Sequence, residues 1–360
     1  MSAEDENKHN KTAVAAARSL LVTYLRQPSS SAELKAGQQV FGSEEVQRFL
    51  AAQGSSSPSD KDETLRKFVS LIPEIDYFHA GMLSLICGSL VEDGAAAAVA
   101  PLLLSAVMGL LAEQLRKIKD YVDTGEDLDA DERFQKFPEA ARAQAGLGFT
   151  IPPAMTMLAR NKEGRKEWQS HQDLVELVDE LEDAEIVPFY LKRVLSLLDD
   201  KDLVVLDKSG GRAFLVRLVG VQDFMCHCFA LLQHAILQHE GPGYLDAEPT
   251  DPLAVRYAQN KGLTRADYAH PGGILESPRF DFCYPGGLWI PISLTFSELP
   301  TFQGTAFLVI VKKGTARSPQ LSWDARNVYP VLHEALQSRV DVVRELTGEE
   351  LKSWLAILSA

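Results

Sequence analysis

The chain holds only four cysteines in 360 residues, Cys87, Cys226, Cys228 and Cys283, and no two of them form a CxxC pair. That spacing excludes a zinc ribbon and a thioredoxin-type motif, and leaves free buried thiols in a reducing compartment as the expectation. Basic residues are short as well: 36 Lys and Arg against 50 Asp and Glu give a formal charge of -14. Such a balance opposes a phosphate backbone, and no cluster of Lys or Arg interleaved with aromatics offsets it, so nucleic acid is excluded as a partner. A basic protein partner fits the sign, and so does plain solubility. The first ten residues are polar and lack the apolar stretch of a secretory signal, which points to the cytoplasm.

The signatures of chemistry are missing too. Neither a P-loop nor GxSxG nor HExxH is present, since His333-Glu334 is followed by Gln337 where a second His would stand. Asp127, Asp129 and Asp131 start like a calcium loop, but Glu132 holds the glycine position and Pro138 the place of the bidentate acid. Gly146-Leu147-Gly148 has Ile151 where a dinucleotide fingerprint needs its third glycine. No metal site is expected, and no cofactor is indicated.

What is present is apolar material, 46% of the residues, enough for two domains of ordinary size. Gly94 to Ala112 carries no charge and as a helix would reach ~28 Å, close to a bilayer core. It follows a second apolar run, Tyr77 to Val91, so a membrane-inserting hairpin is one reading. The other is a buried core helix, favoured by the alanines, by Pro101 and Gly109, and by amphipathic neighbours that need a central partner.

Residues 1–200 read as an all-helical region. Apolar spacing predicts a first helix over Thr12 to Gln27, ended by Pro28. Ser43 before Glu44 and Glu45 reads as an N-cap, and Asp60 with Glu63 as a capping box. Gly146 to Gly148 reads as a helix break, and Ser170 as the next cap. Glu176, Asp179, Glu180, Glu182, Asp183 and Glu185 line one helix opposite Leu174, Val178 and Leu181, as a solvated face or as a docking face for a basic partner.

From 201 to 360 the period changes. Leu203 to Leu206 and Ala213 to Val219 are strands joined at Ser209-Gly210-Gly211, and Val221 to His239 returns to helical spacing. A long Pro/Gly-rich loop, 240–279, follows, either a binding loop over the sheet or an ordered excursion with short helices near Leu253 to Gln259 and Thr264 to Tyr268. Strands are then predicted over Phe280 to Tyr284, Leu288 to Phe296 and Ala306 to Val311, the second pushed toward an edge by Pro291. Two terminal helices close the chain, the last capped by Thr347 with Glu350. The expectation is an α+β fold with a five-stranded antiparallel sheet in ββαβββαα order. That order resembles the PAS, GAF and profilin-like scaffolds, and the resemblance, which covers the last ~160 residues and rests on element order alone, implies a sheet domain that holds a ligand or a partner.

One polar strip on the predicted helix can carry chemistry. Asp223 and His227 stand one turn apart, as do His234 and Gln238, all within a ~60° sector beside the apolar arc. An Asp fixing a His tautomer makes a general base, and the 240–279 loop supplies Asp267, His270 and Glu276 as groups that complete a site. Cys283 reaches His227 only through the tertiary fold. Two functions therefore stand beside the membrane reading. One is a non-enzymatic adaptor-like or sensor-like regulator. The other is an enzyme or small-ligand-binding protein with a pocket under the loop, using His227 as base, Asp223 to orient it, and His270 or Cys283 from across the cleft.

Overall fold

The protein is described here by a computed structural model covering residues 3–359 except 55, 96–98, 262, 270–271 and 318–321. The chain divides into two compact units, Met1–Lys192 and Arg193–Ala360. Helices and a sheet segregate along it, so the fold is α+β.

The first unit is helical. Its elements are α1 (Ala3–Leu25), α2 (Ser31–Ala36), α3 (Glu44–Gln53), α4 (Pro58–Leu71), α5 (Tyr77–Glu92), α6 (Ala100–Val122), α7 (Ala130–Lys136), α8 (Pro138–Arg160), α9 (Lys162–Gln169) and α10 (Gln172–Asp183). The short α11 (Phe189–Leu195) spans the boundary between the units. Caps set several starts. Ser57 opens α4, with Pro58 in the first turn and its hydroxyl paired to Asp60, so the box sits three residues earlier than the Asp60–Glu63 reading. His171, not Ser170, stands at the N-cap of α10.

At the centre lies α5, packed on α8 and α6. Close approach makes this possible. A Cβ on Gly146 would stand 2.4 Å from the Tyr77 carbonyl oxygen, one on Gly81 2.5 Å from the Gly146 oxygen, and one on Gly88 2.7 Å from Pro153 Cβ. Gly146 therefore lies inside α8 as a packing residue rather than at a break. The apolar run after Gly94 does not stay helical throughout, because α6 begins at Ala100 with Pro101 in its first turn. Among the described residues no helix is long and apolar enough to cross a membrane, and α5 spends its apolar surface on its neighbours.

The second unit opens with β1 (Lys201–Asp207) and β2 (Arg212–Val219), an antiparallel hairpin. Asp207 Oδ1 accepts the Ser209 and Gly210 amides at 2.9 Å and shapes its turn. Then come α12 (Met225–Glu240), α13 (Pro252–Ala258), α14 (Arg265–Tyr268), β3 (Leu275–Glu276), β4 (Phe280–Cys283), β5 (Thr301–Phe302), β6 (Thr305–Lys312), β7 (Trp323–Asp324), α15 (Ala325–Val328), β8 (Arg339–Glu345) and α16 (Gly348–Ala356).

The main sheet runs β4-β6-β1-β2-β8, with β5 paired to β6, while β3 and β7 form a separate ribbon. β1 pairs β6 in parallel, Leu203 opposite Ala306, so the sheet is mixed rather than wholly antiparallel. The chain leaves β2 through α12 and the long connection and returns on the far side of β1, which makes this pair parallel. Strand number and order thus depart from the antiparallel PAS, GAF and profilin-like expectation.

Two further departures have local causes. Leu288 to Phe296 forms no strand beyond a bridge at Trp289. Instead the Leu294 and Ile292 carbonyls accept the Met225 and Cys226 amides at 2.9 and 3.1 Å, satisfying the first turn of α12, whose N-cap Phe224 offers no side-chain acceptor. Between β6 and α16, where one further helix is expected, the chain forms the one-turn α15 and then the edge strand β8, in which Val340 and Val342 turn inward between Arg339, Asp341 and Val343. Its Arg344 also binds Glu350 at 2.7 Å, and Thr347, the N-cap of α16, makes no side-chain cap bond. Apolar layers cover both faces of the sheet. Phe229, Phe280 and Phe282 belong to the α12 side, while Phe307 and Trp354 belong to the α16 side.

Candidate functional site

The pleat of β4 decides which predicted groups can meet. Phe280 and Phe282 join the core on the α12 side, whereas Cys283 joins the layer under Trp354. His227 belongs to α12, so Cys283 and His227 lie on opposite sides of the sheet and are not brought together. The Cys283 thiol is pushed up to about 11 by burial and by the Asp281 carboxylate, away from a reactive thiolate. Burial likewise raises Cys87, Cys226 and Cys228, and all four cysteines are free. His270 lies outside the described residues.

Asp223 precedes the helix, in a bend, because α12 starts only at Met225. Its carboxylate accepts the Phe296 amide at 2.6 Å. Burial raises its pKa, opposed by that amide and by the charge of Arg193. His227 is fully buried. Its Nδ1 accepts the Gln222 amide at 2.9 Å, which fixes the proton on Nε2, and Nε2 donates to the Ala258 carbonyl at 2.7 Å. Burial drives its pKa down to about 4, against the pull of the Ala258 carbonyl. Both ring nitrogens are thus engaged by backbone, and Asp223 is not their partner.

Two members of the predicted strip, His227 and His234, nevertheless meet the 240–279 connection, whereas Gln238 is exposed. His227 holds Ala258 at the end of α13. His234 Nδ1 lies 3.0 Å from the Thr250 hydroxyl. Gln233, fully buried, donates to Glu276 Oε1 at 2.5 Å and to the Ser277 carbonyl at 3.3 Å, and accepts the Arg279 amide at 2.8 Å. A second set of ties secures the same segment from the other side. Asn260, buried with φ 54°, donates to Ser338 Oγ at 2.6 Å and accepts the Leu332 amide at 2.7 Å, and Ser338 in turn donates to the Gly220 carbonyl. Asp267 is drawn into a capping box with Thr264, which lowers its pKa, and pairs with Arg256 at 3.1 Å.

Sequence reasoning passed over Gln233, Trp323 and Tyr329, which enclose Glu276. A glutamine in the middle of a helix buried on all sides was the available signal, because an amide placed there requires partners. Among the described residues no group of three or more His, Cys, Asp or Glu is arranged to hold a metal.

The first unit offers charged surface, and its buried His79 stands 3.4 Å from both Glu33 and Asp76. A groove of about 460 Å³ is lined by Lys117, Asp120, Tyr121, Lys136, Phe137 and Glu139, of mixed charge. On α10, Glu176 and Asp183 are exposed, Asp179 and Glu182 share Lys192 at 3.4 Å, and Glu180 shares Lys119 at 3.5 Å. Compared with known proteins, the chain matches no protein-family model, no curated protein and no solved structure.

Proposed function

We propose that the protein is a non-enzymatic, cytoplasmic interaction or regulatory protein whose helical unit engages a basic protein segment. The observation that carries this reading is the division of ionisable groups. His227 and the four cysteines are buried and held, whereas the acids of α10 stand at or near the surface and outnumber the Lys side chains they share. Complementary charge of this kind steers encounter and fixes register more than it supplies affinity. Four free, buried thiols are in keeping with a reducing compartment.

A defined Lys/Arg-rich peptide tests it by fluorescence anisotropy. Binding is expected at low ionic strength, with a steep loss between about 50 and 200 mM salt as screening shortens the Debye length. The triple change Glu176→Lys, Glu180→Lys, Asp183→Lys is expected to weaken binding about tenfold. Unchanged affinity in that variant, or no binding by the parent protein, would remove the reading.

The enzyme or small-ligand alternative, a pocket under the 240–279 loop, is left without Cys283 and Asp223 as partners of His227 and keeps one point in its favour: His227 and His234 of the predicted strip meet the loop. A thermal-shift panel of metals and small metabolites tests it, and a stoichiometric stabiliser is the result it needs.

A further inference from the structure

Beneath the tail of the long connection, three buried polar atoms lack a well-formed hydrogen bond among the described residues: Glu276 Oε2, which has none, and Trp323 Nε1 and Tyr329 Oη, which pair only loosely with each other. The three belong together. Glu276 and Trp323 are register partners across the β3–β7 ribbon, and the Glu276 charge acts on the Tyr329 hydroxyl. Glu276 is 0% exposed, Tyr329 1% and Trp323 5%. The His227 ring packs on Tyr329 with centroids 4.7 Å apart, and the Tyr257 ring does so at 5.9 Å.

A carboxylate in such a place needs several donors, and Glu276 receives a single side-chain bond, from Gln233. Burial pushes its pKa up to about 7. The Asp251 charge adds to this, while Arg279, the Ser277 amide and Gln233 oppose it. Tyr329 is raised well above its ordinary value, first by burial and next by the Glu276 charge, with the Trp323 indole pulling the other way. The remaining groups that face the cluster are Cys226 and His227 from α12 and Tyr257 from α13. Asp324 and Arg326, which pair with each other at 2.7 Å, complete the surroundings on the ribbon side.

We propose that Glu276 is a proton-operated latch: with its carboxyl protonated, the β3–β7 ribbon and the 276–279 tail lie closed on α12, and its ionisation releases them. The neutral acid keeps the cluster free of net charge, and Gln233 then holds the tail at Glu276, Ser277 and Arg279. The ionised carboxylate has donors only from Gln233 and the Ser277 amide and none on Oε2, and it gains the missing ones by turning to water. That movement breaks the Gln233 ties and opens the ribbon while the main sheet stays intact, a local opening of the kind native proteins undergo. This inference does not rest on the α10 reading.

Hydrogen exchange on the full chain, corrected for intrinsic rates, tests it between pH 6 and 8. Amides at 274–280 and 322–329 are expected to lose about tenfold in protection over that range, because the opening equilibrium follows the ionised fraction. In Glu276→Gln the slope vanishes and protection stays high. A flat wild-type profile, or an equal slope in E276Q, overturns the latch. Should E276Q fail to fold, carbon NMR of the wild-type carboxyl decides. Titration near neutrality supports the proposal, and an apparent pKa below about 5, the ordinary range, sinks it.

Discussion

The two units are each organised around one sixteen-residue helix with twelve buried residues, α5 in the first and α12 in the second. Burial is reached by opposite means. α5 sheds side chains where it meets α8, so that backbone approaches backbone at Gly81 and Gly146. α12 keeps polar side chains on its buried surface and uses His227, Gln233 and His234 to hold a long connection over it. A helix enclosed by helices can be largely apolar, because its neighbours satisfy their own backbone groups; in α5 the exceptions are Ser84, bonded to its own helix, and His79, which at the start of the helix meets the Gln27 carbonyl of an irregular connection at 3.0 Å. One covered by an irregular segment has to supply the hydrogen bonds that the segment's backbone lacks.

The comparison can be broken most forcefully at His227. Replacing it with Leu orphans the Gln222 amide and the Ala258 carbonyl, at a cost of about 1–3 kcal/mol for each group, and urea unfolding of the second unit measures the sum. The same change bears on acid stability. The folded pKa, about 4, lies below the ordinary 6.5, so stability is present above pH 6.5 and is lost as pH falls toward 4. H227L should remove that acid-side slope. Glu276 acts in the reverse sense: its folded pKa of about 7 exceeds the ordinary 4.5, so its contribution is lost as pH rises from 4.5 to 7. E276Q should remove this second slope, and the two variants together dissect the pH profile of one unit.

A smaller effect is expected on the α5 side. Gly146→Ala forces the Tyr77 carbonyl away and costs about 1–3 kcal/mol, visible in the helical signal on denaturation. If G146A proved neutral while Leu147→Ala was costly, side-chain packing rather than close approach would hold α5. Arg212 forks between Glu240 at the end of α12 and Glu345 in β8, and Arg212→Ala should cost about 1 kcal/mol, since the side chain is only partly buried. Arg344→Ala at the exposed Glu350 pair should leave the unfolding midpoint unchanged within error.

Much of this was legible in the letters. The β1–β2 hairpin, α12, β6 and the α+β segregation follow from periodicity and turn residues, which act locally. Failures arose where a distant partner decided the outcome. Leu288 to Phe296 alternates like a strand, yet its carbonyls are taken by the start of α12. β8 was obscured by its charges, whose use as an edge strand depends on the sheet it joins. Gly146 resembles a helix break until Tyr77 is seen across from it. The candidate site shows the same limit: the His227 strip and the loop it faces could be found from spacing, whereas Asp223 is turned aside by Phe296 and Cys283 is carried to the opposite side of the sheet by the pleat.

The parallel pairing of β1 with β6 has a consequence for biosynthesis. Leu203 waits for Ala306, so the nascent hairpin emerges with one flank of β1 bare while roughly a hundred more residues are made. Closure across that span is slow by its topology, and in the interval an apolar strand edge is open to pairing with other chains. Chaperone dependence and aggregation on the ribosome should therefore centre on β1 and subside once β6, through Lys312, has emerged and can pair.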